Sequence, residues 1–211
     1  MKRLISILAA LLCAVASLAQ TPQEIISLME EAMKVFEKDG KTGALAMTID
    51  IKIPILGTMS SKTYVLGDKI RMDAKAMGET IVTYTDGQTS WTYTPSDATV
   101  VIENFDSSKK SNDQGDVEMF SGITEGYDVT IKRETADTWQ LQCKKSRTNK
   151  NKDDPNTMDL EVYKKNFLPK SLSAKVSGVT ITMRDLSPDV TEEQVTFNPA
   201  NYPGVTIVDK R

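Results

Sequence analysis

The sequence predicts a mainly β fold with helical cover: an open antiparallel half-barrel of about ten or eleven strands, covered by an N-terminal helix and a short mid-chain helix. Three observations carry this expectation. Only one segment, from Thr21 to Gly40, repeats its apolar residues at helical spacing. From Gly43 onward the period changes to two and recurs in short runs. Turn signals such as Gly67-Asp68 and Asp86-Gly87 separate those runs.

The chain opens with Met1-Lys2-Arg3, then an apolar run from Leu4 to Ala16 broken only by Ser6, then Ser17-Leu18-Ala19. A positive start, a short apolar stretch and small residues before Gln20 make the pattern of a cleavable signal peptide over 1–19. The run falls short of the roughly 20 residues that cross a bilayer. Leu12 stands where a lipobox before Cys13 would need a small residue. The expected mature chain, Gln20–Arg211, is one exported periplasmic domain with 24 basic against 29 acidic groups.

Thr21-Pro22-Gln23-Glu24 reads as a capping box with proline in the first turn. Behind it Ile25, Leu28, Met29, Ala32, Met33 and Phe36 form one apolar stripe, and Gly40 is the expected stop. The polar face carries Glu24, Glu30, Glu31 and Glu37 against Lys34 and Lys38. Anionic lipid would repel such a face, so the stripe is expected to pack on protein. The first strand alternates Leu45, Met47, Ile49, Ile51 and Ile53 with Ala46, Thr48, Asp50 and Lys52. Further runs follow at 62–66, 69–74, 80–85, 89–94 and 98–103. A polar stretch, 106–116, and the apolar patch Met119, Phe120, Ile123 interrupt the series. Strands resume at 127–134, 138–146, 158–164, 172–176, 179–184 and 194–197, with a solvated loop over 144–156. Successive local hairpins of this kind describe an antiparallel, curved sheet.

Composition removes most chemistry. The 211 residues include no histidine, which excludes Ser-His-Asp and Cys-His nucleophilic pairs and imidazole-based zinc sites. Once the leader is removed Cys143 is the only thiol. It falls in phase with Trp139 and Leu141, as a buried small hydrophobe would. Ser108 and Lys110 stand where a calcium loop over 106–118 needs oxygen ligands, so that run reads as an ordinary acidic loop. Lys144, Lys145, Arg147, Lys150 and Lys152 read as a solvated loop tip, and a net charge of −3 advertises no surface to nucleic acid. No catalytic residue, metal site or cofactor is expected, and the protein is read as a non-enzyme and a monomer. What remains is adaptable apolar surface, with nine methionines after Gln20.

The run Asp86-Gly87-Gln88-Thr89-Ser90-Trp91-Thr92-Tyr93-Thr94-Pro95 resembles the "DGK..W.Y.P" hairpin of the outer-membrane lipoprotein carrier family, LolA. Val195-Thr196-Phe197-Asn198-Pro199 followed by Pro203-Gly204-Val205-Thr206-Ile207 is similar to that family's closing "F-x-F-x-P…G-V-x-V". Asn166 to Leu172 is similar to its "G-x-P-x-x-L" turn. The order of parts agrees over essentially all of Gln20–Arg211. The likeness implies a hydrophobic cavity beneath helices that shields the acyl chains of lipoproteins, or of lipids, in the periplasm. It also implies a lipoprotein-releasing transporter of the inner membrane as donor and an outer-membrane acceptor. On it, Leu45, Met47, Ile49, Ile51, Met72, Trp91, Tyr93, Met119 and Phe120 would line the cavity, and Ile25, Met29, Met33 and Phe36 would form the lid face. A free-lipid carrier or lipid-sensing regulatory domain is the alternative. The family's lid-holding arginine has no counterpart at Leu66-Gly67-Asp68, and the nearest arginine is Arg71.

Overall fold

The computed structural model describes residues 20–39, 41–76, 78–106, 123–152 and 154–211. The expected signal peptide, Met119 and Phe120 lie outside them. Among the described residues no helix is long and apolar enough to cross a membrane.

Helix α1, Pro22–Met33, starts at the capping box read from the sequence. Thr21 Oγ1 accepts from the Glu24 N–H at 3.2 Å, and Glu24 Oε2 accepts from the Thr21 N–H at 2.7 Å. It stops seven residues before Gly40, because a 3-10 turn over Lys34–Phe36 turns the chain and buries the Phe36 ring. A two-strand ribbon follows, β1 (Glu37–Lys38) with β2 (Lys41–Thr42).

Twelve strands then form one open sheet. A first meander runs through β3 (Ala44–Ile53), β4 (Gly57–Leu66), β5 (Lys69–Ala76), β6 (Glu79–Thr85), β7 (Thr89–Thr94) and β8 (Thr99–Asn104). One helical turn, α2 (Ile123–Gly126), leads into a second meander. Its strands are β9 (Tyr127–Glu134), β10 (Thr138–Lys145), β11 (Thr157–Tyr163), β12 (Pro169–Val176) and β13 (Val179–Ser187). β13 closes back antiparallel on β3, with Met183 opposite Ile49 and Ile181 opposite Ile51. The fold class read from alternation holds, with two corrections. Pairing is not purely local, since β3–β13 joins strands more than 120 residues apart. The sheet is also mixed, because β14 (Thr206–Asp209) adds parallel to β8 at one edge.

A third correction concerns 194–197, expected as a strand. Thr191 and Gln194 form a second capping box, and Glu192–Val195 is the one-turn helix α3. Val195 is buried by it.

The sheet is covered on different faces at its two ends. Cross-strand register carries the face of Leu45 along the rung Leu45–Val65–Ile70–Thr85–Ser90, and that of Met47 along Met47–Thr63–Met72–Thr83–Thr92. Helix α1 lies on this inner face. Its Ile25, Ile26, Met29 and Met33, with Phe36 beyond it, join one buried cluster with Leu45, Met47, Ile49, Val65, Trp139, Leu141, Met158, Leu160, Leu172 and Met183. The other core lies on the outer face of β6–β8, where Tyr84, Trp91 and Tyr93 meet Phe197 and Tyr202 from the C-terminal segment. The outer face of the second meander is polar, with Gln140, Gln142, Asp159, Ser171 and Ser173.

Candidate functional site

The inner face under α1 is where the structure gathers most of the expected site. Leu45 and Met47 are almost fully buried, Ile49 is buried, and Ile51 packs partly buried against the same cluster. All four expected lid residues, Ile25, Met29, Met33 and Phe36, face them with no more than 2% of their surface exposed. Period two places the sheet residues and period 3.6 the helical ones; the fit between the two stripes is what buries both.

Met72 shares the inner face through its pairing with Thr63 but lies outside the cluster beneath α1. Trp91 and Tyr93 do not belong with this set. Trp91 pairs with Tyr84 and Tyr93 with Val82, so both point to the outer face. There Trp91 stacks on Phe197 at 5.7 Å and Tyr93 meets Tyr202 at 4.6 Å between ring centroids. They anchor the C-terminal segment rather than line the space beneath the helix. Arg71 is outward-facing too. Its guanidinium makes two bonds to Asp73 at 2.7 and 2.9 Å and lies over the rings of Tyr64 and Tyr84, on the side away from α1. It does not reach the helix that the family's arginine would hold.

Among the described residues five methionines meet in the α1 interface: Met29 and Met33 from the helix, and Met47, Met158 and Met183 from the sheet. The last two, with Leu160, Leu172, Trp139 and Val65, were missed as site residues. Their alternation was visible, but only the β3–β13 pairing brings the second meander under the helix. Cys143 is buried in the same cluster, and burial pushes its thiol up to about 12, with the Asp159 carboxylate adding to the shift. A thiol so placed is a packing group.

The energetic scale decides what this interface can do. Burying five large apolar side chains from α1 and the turn after it is worth on the order of 10 kcal/mol before ordering costs. A palmitoyl-length chain carries a similar amount at about 0.8 kcal/mol per CH₂. An acyl chain could therefore replace the helix stripe on the sheet at nearly balanced free energy. Flexible methionine side chains on both surfaces would repack around either occupant.

Past the cluster the same face changes character. A cleft of about 330 Å³ opens where two turns meet, lined by Gly67, Asp68, Ile70, Thr85, Asp86, Gly87, Gln88 and Phe105. It is tied to the end of the helical segment by the backbone: Gly43 N–H donates to Phe36 O at 2.7 Å, and Gly67 N–H donates to Gly43 O at 2.8 Å. Backbone N–H groups of Thr89 and Gln88 hold the Asp86 carboxyl below its ordinary range, against a smaller opposing effect of burial.

No protein-family model and no curated protein matches the chain. Solved structures do. The lipoprotein LppX of Mycobacterium tuberculosis superposes with a TM-score of 0.51 at 11% identity, over 82% of this chain and 97% of that one. A LolA superfamily protein of Nitrosomonas europaea aligns at 14% identity and a TM-score of 0.33, over 85% and 99%. A conserved protein of Thermus thermophilus aligns at 16% identity and 0.44, over 90% and 100%. At these identities the likeness is one of fold, and it is the fold of LppX that this chain shares.

Proposed function

We propose that the protein is an exported, non-enzymatic carrier of acyl chains, which it takes up between α1 and the inner face of its sheet. The observation that carries this reading is the methionine-rich contact between a single short helix and an open sheet. In the closed state the helix stripe itself occupies the acyl site, so loading requires α1 to move. Leu45, Met47, Ile49, Ile51, Met158 and Met183 then form the wall, and Ile25, Met29, Met33 and Phe36 the displaced cover. The shared fold with a mycobacterial lipoprotein and the sequence likeness to lipoprotein carriers support it.

The cargo this likeness favours is the acylated N-terminus of lipoproteins, carried through the periplasm from a releasing transporter of the inner membrane to an outer-membrane acceptor. Hydrophobic transfer makes a carrier necessary there, since an unshielded acyl chain aggregates or returns to a bilayer. The second reading, a free-lipid carrier, is favoured by the polar cleft beside the acyl site. Mass spectrometry of material co-purified with the native protein separates the two: acylated polypeptide supports the first, and lipid alone the second. Recovery of neither, together with normal lipoprotein sorting after depletion, would overturn the carrier reading.

A further inference from the structure

We infer that the cleft beside the acyl site holds the head group of a lipid cargo, and that this head group is neutral and hydroxyl-rich, as a sugar is. The inference rests on the acyl-carrier reading and names its cargo.

The inner face supplies a graded surface. Along one rung the residues run Met183, Ile49, Ser61; along the next, Met47, Thr63, Met72, Thr83, Thr92. The greasy sector thus passes into a hydroxyl-bearing one within two strands. Thr63 is 3% exposed, and its hydroxyl has no partner among the described residues. Thr85 is 5% exposed and lines the cleft; it accepts from the Gly87 N–H at 3.0 Å, while its own proton has no acceptor among the described residues. A buried hydroxyl proton left unpaired is costly, and a polar ligand in the cleft would satisfy that of Thr85.

The cleft also selects among head groups. Its polar side chains are two carboxylates, a carboxamide and a hydroxyl: Asp68, Asp86, Gln88 and Thr85. Asp68 makes no hydrogen bond or ion pair among the described residues. Among the described residues no cation lines the cleft, and the two whose charges reach Asp86, Lys69 and Arg211, are paired with Glu192 and Asp209. The adjacent Lys69 is turned to the other face, where it pairs with Glu192 and Thr196. A phosphate would meet two carboxylates, while the nearest described positive charges are already engaged by Glu192 and Asp209. Sugar hydroxyls can donate to both carboxylates and accept from Gln88 and Thr85.

The test uses the mature chain and competition against a fluorescent fatty acid by probes with identical palmitoyl chains. These are glucosyl diacylglycerol, diacylglycerol, phosphatidylglycerol, phosphatidylethanolamine and a diacylated cysteinyl dipeptide. Glucosyl diacylglycerol is expected to bind about tenfold more tightly than diacylglycerol, the weight of one or two hydrogen bonds. Asp68→Ala and Gln88→Ala, both at exposed positions, should erase that preference, so that glucosyl diacylglycerol and diacylglycerol compete equally. Equal binding of all probes, or a preference for a phospholipid or the lipopeptide, overturns the head-group assignment and leaves the acyl site standing. Binding of none overturns both.

Discussion

Trp91 stacks on Phe197 with 14° between ring planes, on the face of the sheet opposite Met47. The two cores therefore serve different ends. The outer one is an aromatic clasp that closes the C-terminal segment over β6–β8, with Tyr84 and Tyr202 joined through their hydroxyls at 3.0 Å. The inner one is the contact that opens in the proposed carrier cycle. Phe197→Ala should cost about 3 kcal/mol in urea unfolding, through loss of packing with Tyr84, Trp91 and Tyr202. Acyl-probe affinity should be unchanged. Loss of affinity in the folded variant would mean that the outer core takes part in binding.

Asp50 ties β3 to β13 by accepting from Arg184 Nε at 2.7 Å, and it accepts from Ser60 Oγ at 2.6 Å. The Arg184 guanidinium holds the Asp50 carboxyl below its ordinary range, with burial opposing it. A depressed folded-state pKa stabilises fully above the unfolded value, about 3.9, and the contribution disappears as pH falls through the lower folded value. Arg184→Met should therefore cost about 0.5–1 kcal/mol at pH 7, the range of a partly exposed pair. The difference from the parent protein should shrink below pH 4. A difference independent of pH would assign the loss to packing.

Gly43 stands where a Cβ would come within 2.9 Å of the Lys38 Cβ. Its backbone also links Phe36 to Gly67. Gly43→Ala should force these segments apart at a cost of about 1–3 kcal/mol. Hydrogen exchange should show the loss of protection concentrated in α1 and the β1–β2 ribbon. Uniform loss across the sheet would place Gly43 in the global core instead.

Ile55, at the β3–β4 turn, is fully exposed at a φ of 73°, a region costly for a β-branched residue. Ile55→Gly should stabilise by about 0.5–1 kcal/mol, because the left-handed strain removed exceeds the backbone entropy added. An unchanged or lower urea midpoint would show that the turn relaxes without cost.

Much of this was legible beforehand, and the gaps have physical reasons. Period two identified eleven of the twelve sheet strands as strands, and Thr21 with Glu24 fixed the start of α1. Alternation says which residues of one strand share a face, but not which face is covered. The tight Asp86-Gly87 turn pairs Tyr84 with Trp91, so Trp91 and Tyr93 follow Tyr84 outward while Thr83 and Thr85 take the inner side. That turn register was the available signal. The β8–β14 pair joins distant segments, and β14 is short and exposed, so neither pattern nor turn chemistry announced it. Thr63 and Thr85 gave no signal as threonines in alternating strands; only burial without a full set of partners singles them out.

Hydrogen exchange of a chain spanning residues 20–211, with and without a saturating dipalmitoyl lipid, tests the central claim most directly. Stoichiometric binding should strip protection from residues 22–33 while β3 and β11–β13 keep theirs. A lipid that fails to bind, or a helix that stays as protected as the sheet when lipid is bound, would contradict a carrier whose own helix fills the site until cargo arrives.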